Sequence, residues 1–375
     1  MEIDVTWFLL GLPLAFVLGW LASRLDMRQL RIDNRRSPKA YFKGLNHLLN
    51  EQQDEAIDAF IEAVQKDPDT SELHFALGNL FRRRGEYDRA VRVHEHLLAR
   101  GDLSNAERER AQHALALDFL QAGLLDRAED ALGKLEGSKF ETQARLARLA
   151  IYERTRDWPQ AERIAQQLQT SGQGDFSTRA AHYLCEQAAG QSPEQQHKLL
   201  SKAIELAPQS GRARIALAEL AEQAGDTHEA LNLLLAVIES APSATPLIAD
   251  KVAMLAIQSQ RAGNVQPVLQ ALYDSTHSLD VLQALAKLRA SASGESALRE
   301  QQLAHLKQEP SLVIAAQLLK TQSLDQDIQR ALDKAAQPLL RYRCASCGFE
   351  ASRHFWQCPG CQSWDSYSTR RVEEL

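Results

Sequence analysis

Through the middle of this chain, small residues and turn formers return at intervals of thirty-four, and that period restricts the fold more than any other feature. Aligned on Gly44 and Gly78, a first unit carries Gly44, Ala56, Phe60, Ala63 and Pro68, and a second carries Leu77, Gly78, Phe81, Gly85, Ala90 and Leu97. After a four-residue insertion, a third supplies Leu115, Ala116, Phe119, Gly123, Ala128 and Leu135. A fourth holds Tyr152, Trp158, Ala161 and Leu168, and a fifth holds Leu184, Leu200, Ala203 and Pro208. The sixth is sharper, with Leu217, Ala218, Gly225, Ala230, Leu234, Val237 and Pro242. From about Ala244 to Lys334 the composition stays helical, with turns expected near Gly263-Asn264 and Ser293-Gly294, but the repeat is degenerate. Apolar residues between the turns fall at helical spacing and strand signals are almost absent, so the chain reads as all-α, built of antiparallel helix pairs.

The pattern resembles the tetratricopeptide repeat. The small residue at the eighth position (Gly44, Gly78) and the alanine at the twentieth (Ala56, Ala90) let the two helices of a unit approach closely, while larger neighbours fill the gap to the next unit. A proline near the end stops the second helix. Units are expected at 37–70, 71–104, 109–142, 142–175, 177–210 and 211–244, within a superhelix covering 37–335. Lys43 and His47 stand where large apolar residues are usual, which suits a terminal, partly uncovered repeat. Such superhelices bind protein segments on their concave face. In the second unit that face is expected to present Glu72, Phe75, Asn79, Arg82 and Arg83; in the third, Arg110 and His113; in the sixth, Arg212 and Glu219. Phe75 occupies the position where chaperone-tail clamps of this repeat family carry lysine, which argues against carboxylate-clamp recognition.

Val5 to Ala22, VTWFLLGLPLAFVLGWLA, carries no charge over eighteen residues. As a helix it would reach roughly 27 Å, against a hydrocarbon core of about 30 Å. Trp7 and Trp20 lie near its ends, where indoles settle at the lipid–water boundary. Glu2 and Asp4 precede it and no small-x-small site follows, so the segment reads as a retained anchor and not a cleaved leader. Arg24, Arg28, Arg31, Arg35, Arg36, Lys39 and Lys43 crowd its far side, and positive flanks stay in the cytoplasm. The expectation is an anchor at 1–23 (span about 5–22), a basic juxtamembrane linker at 24–36, an external N-terminus and a cytoplasmic remainder. Gly11, Ala15 and Gly19 fall four apart, a stripe on which another transmembrane helix could pack.

Cys344 to Cys361, CASCGFEASRHFWQCPGC, holds four of the chain's five cysteines as two C-x-x-C pairs ten residues apart. In a reducing cytoplasm such thiols are free to bind a metal. Gly348 after the first pair, and Pro359 and Gly360 inside the second, help the backbone turn. Residues 340–375 are too few for a core of their own, so a bound ion would supply much of their folding energy. Cys344, Cys347, Cys358 and Cys361 would close the coordination shell, which points to a structural site, and tetrahedral sulfur suits zinc or iron alike. The pattern resembles a rubredoxin-like zinc ribbon, a class able to carry either ion. Arg341, Arg343, Arg353, Arg370 and Arg371 would offset the negative four-thiolate centre, and Tyr342, Phe349, Phe355, Trp356, Trp364 and Tyr367 would cover it. Those basic and aromatic residues also suit nucleic acid, but the whole chain is acidic at net −6, so no nucleic-acid partner is expected. An iron centre passing electrons is the other alternative.

Walker loops, G-x-S-x-G elbows and H-E-x-x-H motifs are missing, so no enzyme signature is present. His94 and His96 sit two apart on a helix and so face different ways, one core and one surface; Cys185 fits a small buried position. The order of anchor, repeats and ribbon resembles the lipopolysaccharide assembly protein B family of Gram-negative bacteria. The likeness rests on that order, on DEAIDAFIEAVQKDPDTSELHFALGNLFRRRGEYDRA (Asp54 to Ala90) and on the ending RYRCASCGF…WQCPGC. It implies a non-enzymatic inner-membrane adaptor that restrains lipopolysaccharide synthesis, with the four cysteines as metal ligands. It also implies as partners a membrane AAA+ protease, the lipid A-pathway deacetylase it degrades, and other lipopolysaccharide synthesis or transport proteins; homo-oligomers stay open.

Overall fold

A Cβ added to Gly44 would stand 2.8 Å from the Phe60 ring, and one on Gly78 would stand 2.5 Å from the His94 imidazole. Glycine at these two positions therefore lets the paired helices touch without a side chain between them. The structure is a computed structural model and describes residues 16–20, 39–67, 69–293, 295–320 and 325–375. Of the expected span, only residues 16–20 fall among these; they are helical (α1), with Phe16, Val17, Leu18 and Trp20 exposed. Gly11, Ala15 and Pro68 lie outside the described residues, and nothing approaches the Gly19 position within 4 Å. No helix among the described residues is long and apolar enough to cross a membrane.

The chain divides into two compact units, with the boundary between Ile151 and Tyr152. The first contains α2 (Lys39–Leu49), α3 (Gln53–Lys66), α4 (Ser71–Arg83), α5 (Tyr87–Ala99), α6 (Asn105–Gln121), α7 (Leu125–Gly133) and most of α8 (Glu141–Thr155). From α2 to α7, successive helices pack against each other. One apolar cluster joins Ala56, Ile57, Phe60, Leu73, Leu77, Phe81 and Ala90, and another joins Leu115, Phe119, Ala128, Leu132 and Leu135. Phe42 and Leu49 on α2 remain exposed, as suits a terminal repeat. Polar groups add register: buried Asp118 on α6 accepts from Arg82 of α4 at 2.8 Å and pairs with buried His94 of α5. His96 is exposed, so the two histidines do face different ways. Ser104 and Glu107 form a reciprocal capping box at the start of α6.

The second unit continues with α9 (Trp158–Thr170), α10 (Ser177–Ala188), α11 (Pro193–Leu206), α12 (Gly211–Gln223), α13 (Thr227–Ser240), α14 (Thr245–Gln258) and α15 (Ala262–Thr276). α16 (Leu279–Ser293), α17 (Glu295–Gln308), α18 (Leu312–Lys320) and α19 (Gln326–Ala336) complete the helices. Among the described residues the degenerate region thus holds six further helices, α14 to α19. α14 buries Ile248, Ala249, Val252, Ala253, Leu255 and Ala256, more than one stripe, and lies chiefly against α16, then against α13, and less against α15. A helix covered on several sides has no clean apolar period. After a 3-10 turn at Gln337–Leu340, β1 (Tyr342–Arg343) pairs antiparallel with β2 (Glu350–Ala351), Tyr342 opposite Ala351. Single bridges join Cys344 to Tyr367 and Gln357 to Trp364.

Candidate metal centre

Both cysteine pairs sit in the same local loop. In the first, the Cys344 amide donates to the Phe349 carbonyl at 2.9 Å and the Gly348 amide returns to the Cys344 carbonyl at 2.9 Å. In the second, the Cys358 amide donates to the Ser363 carbonyl at 2.9 Å and the Gln362 amide to the Cys358 carbonyl at 2.8 Å. The left-handed residue therefore falls at Gly348 (φ 77°) and at Gln362 (φ 60°), directly after each second cysteine. Gly360 has no such role; a Cβ there would meet Phe349 at 3.4 Å.

The loops bring the four sulfurs within 4.8 Å of one another. Sγ of Cys344 lies 3.8 Å from that of Cys361, and Cys347 lies 3.7 Å from Cys358. A tetrahedral ion with metal–sulfur bonds of about 2.3 Å requires sulfur–sulfur edges of about 3.8 Å, whereas a disulfide requires about 2.05 Å. The donor set fits a metal and not a bridge. Cys344 and Cys358 are buried, while Cys347 and Cys361 are exposed. Burial opposes ionisation of Cys344, yet hydrogen bonding with Ser366 Oγ and with the Cys347 and Ser346 amides brings its thiol down to about 6. For Cys347 the Phe349 amide favours the thiolate, but partial desolvation and proton sharing with the other sulfurs push it up to about 12. Four thiolates need a cation among them to be anionic together. Cys185 stands apart: burial pushes its thiol up to about 11, so it is inert packing.

The ribbon docks on a polar and aromatic face of the second unit, reaching well beyond the last helices. Trp364 Nε1 donates to Glu153 Oε1 at 2.9 Å, and that carboxylate also accepts from Arg179 at 2.7 Å and from the Tyr183 hydroxyl. The Trp364 indole stacks on His182 with centroids 4.8 Å apart. His182 Nε2 donates to Asp365 at 2.8 Å while its Nδ1 accepts from Arg212 at 3.2 Å, so the tautomer with its proton on Nε2 satisfies both. Arg371 makes two bonds of 2.8 Å to Asp280 and lies over the Tyr342 ring. Glu153, His182 and Asp280 are docking residues that sequence reasoning missed; an acid or a histidine in a helix looks like any other until its distant partner is known.

The residues expected to line a partner groove have differing surroundings. Phe75 is 1% exposed and packs with Leu97 and Ala111; Arg110 stacks on its ring at 4.0 Å and pairs with Glu72. The residue is core because α5 and α6 close over it. Arg82 is bound to Asp118, the Ala114 carbonyl and Asn79 Oδ1, and so ties α4 to α6. His113 stacks on Phe140 at 4.6 Å. Arg212 is held by Glu186 and His182 beneath Trp364. Arg83 and Glu219 are exposed.

Comparison with known proteins agrees with both parts. The family profile described as the rubredoxin metal binding domain matches residues 342–367, and tetratricopeptide repeat profiles match residues 73–109 and 197–255. The chain is 30% identical over 374 residues to lipopolysaccharide assembly protein B of Escherichia coli strain K12, covering 95% of each chain. It is 29% identical over 378 residues to lipopolysaccharide assembly protein B of Haemophilus influenzae, covering 95% of this chain and 96% of that one.

Proposed function

Because the chain belongs to the lipopolysaccharide assembly protein B family, we propose that it is a non-enzymatic adaptor of lipopolysaccharide synthesis, tethered to the bacterial inner membrane by residues 5–22 with its N-terminus periplasmic and its bulk cytoplasmic. The observation that carries this reading is end-to-end similarity to those relatives, repeats and ribbon together. Cys344, Cys347, Cys358 and Cys361 hold one zinc or iron ion, a role supported by their 3.7 and 3.8 Å sulfur spacings. When bound, the ion supplies charge and a crosslink that keep the ribbon folded; Trp364, Asp365 and Arg371 of this chain then fasten the ribbon to the helices.

The adaptor works by concentration in a plane. An anchor confines the repeats beside other membrane proteins and raises their effective concentration without any new contact. The partners that the family resemblance implies are a membrane AAA+ protease, the lipid A-committing deacetylase, and synthesis or transport proteins. Exposed Arg83 is a first residue to test for partner contact. The decisive experiment is a crosslinked pull-down from membranes with the full chain and with a version lacking residues 1–23. Specific partners recovered only with the full chain support tethering; equal recovery overturns it. A visible absorption spectrum of the purified protein separates a red iron centre from colourless zinc.

A further inference from the structure

Val372–Glu374 form a single 3-10 turn that presents two adjacent carboxylates to two different helices. Glu373 accepts from the Leu312 amide at 2.6 Å, the Val313 amide at 3.1 Å and the Ser311 hydroxyl at 2.7 Å, all at the start of α18. Glu374 accepts from the Leu279 amide, the first residue of α16, at 2.9 Å, and its second oxygen accepts from the Arg371 amide at 2.8 Å. The first amides of a helix have no partner within it, and the axial dipole favours negative charge there. Helices usually meet that need with a residue just before the first turn. Here α18 uses Ser311 in part, its Oγ accepting from the Ile314 amide at 3.1 Å, and the rest comes from Glu373, 60 and 61 residues along the chain.

We propose that this C-terminal turn is a latch: Glu373 and Glu374 cap α18 and α16 from outside, and the ribbon delivers them there. The delivery is visible in the contacts just upstream. Thr369 Oγ1 donates to the Ser243 carbonyl at 2.6 Å, and Arg371 holds Asp280 in the first turn of α16 and the Leu340 carbonyl at 2.8 Å. Tyr367, six residues before Glu373, is bridged to Cys344 in the first cysteine loop. With the ribbon folded, the carboxylates are held at their targets. With it unfolded, they hang on a flexible stretch of some thirty residues after Leu340, and their effective concentration at the helix ends falls. The latch thereby makes the order of the last hairpins depend on the state of the four-cysteine centre, a dependence that rests on the metal reading above. The carboxylate contacts do not.

Hydrogen–deuterium exchange of the full-length chain, with bound metal counted in parallel, tests both halves. Glu373→Ala should speed exchange in the first turn of α18 by about tenfold, as loss of a cap implies, and leave α16 unchanged. Glu374→Ala should do the reverse. Glu373→Gln, which keeps a carbonyl acceptor, should fall between Glu373→Ala and the parent, and all three should retain their metal. Wild-type rates in both alanine variants overturn the latch, and so does metal loss in either, since the tail would then be part of the ribbon's own fold. Removing the ion from the parent chain with a chelator should speed exchange at both helix starts together. Wild-type rates there after the ion has left overturn the ribbon's share. A chain that never held an ion defeats the metal reading while the carboxylate result stands.

Discussion

Between Ser71 and Gly133 the helices bury Leu73, Phe75, Leu77, Leu80, Phe81, Val91, Leu97, Leu115, Phe119 and Leu132, along with a run of alanines. From Arg341 onward the buried side chains are Tyr342, Cys344, Cys358, Ser366 and Tyr367, and two of these five are thiols. The repeats spread their instructions over many interchangeable apolar groups, so the loss of one is shared by its neighbours. The ribbon concentrates its instructions in four sulfurs with no substitute. One region should therefore lose stability by degrees, and the other should fail at a single atom.

The hardest break is at a sulfur. Cys358→Ser should abolish metal binding and unfold residues 341–375, since structural zinc sites contribute on the order of 10 kcal/mol to small domains. The far-UV helical signal should barely move, because the helices carry their own cores. Metal content and the fluorescence of Trp356 and Trp364 measure the loss; a Cys358→Ser protein that keeps one ion and the parent emission would mean that the centre is not what folds the ribbon.

Within the repeats the corresponding test is a single methyl. Gly78→Ala would place a Cβ 2.5 Å from a His94 ring that Asp118 holds in position, so overpacking should cost about 1–3 kcal/mol. Gly133→Ala, on α7 with nothing within 4 Å, should be neutral or add up to about 1 kcal/mol. Thermal melts of both variants decide it. Equal shifts would show that the thirty-four-residue spacing of Gly44 and Gly78 reflects something other than close helix approach.

That contrast also explains what could be read in advance. The helix pairs were legible because close approach demands glycine or alanine at fixed offsets, a demand local in sequence. The metal centre was legible because two C-x-x-C pairs this close in sequence place four thiols in reach of one ion. Two kinds of feature were not. The turn expected at Gly263-Asn264 falls at Ser259–Arg261, where Gln260 adopts φ 58° in place of a glycine. What packs on Phe75 and Arg212 was not legible, because helix position alone cannot tell whether a neighbouring helix or a docked ribbon covers a residue. Contacts such as His182 with Asp365 lie 183 residues apart and leave no periodic trace.

A gentler cut goes through the docking face. Glu153→Gln should cost about 1–3 kcal/mol, because the carboxylate that gathers Trp364, Arg179 and Tyr183 loses its charge and one acceptor. The ribbon should keep its metal yet exchange deuterium faster along residues 356–367. Faster exchange confined to α8 and α10 would instead mean that Glu153 serves the helices alone.

The smallest effect sets the two regions apart by sign. Hydrogen bonds with the Ser104 hydroxyl, the Ser71 hydroxyl and the Ser104 amide hold Glu107 below the usual glutamate range. Its contribution to the first unit is therefore present above the unfolded value and lost as pH falls through the folded one. Burial, outweighing the Arg371 and Leu279 amides, holds Glu374 above that range. Its contribution is complete below the unfolded value and fades as pH rises through the folded one. Mild acidification from neutrality should thus first tighten the C-terminal turn and only later loosen the start of α6. Ser104→Ala removes the largest cause of the Glu107 shift and should cost about 1 kcal/mol as a lost cap. In that variant the acid-side loosening of α6 should shrink while the C-terminal response stays as it was. Exchange rates of the two segments followed from pH 7 to pH 4, corrected for intrinsic rates, measure both at once; parallel responses would mean that neither carboxylate governs its own helix start.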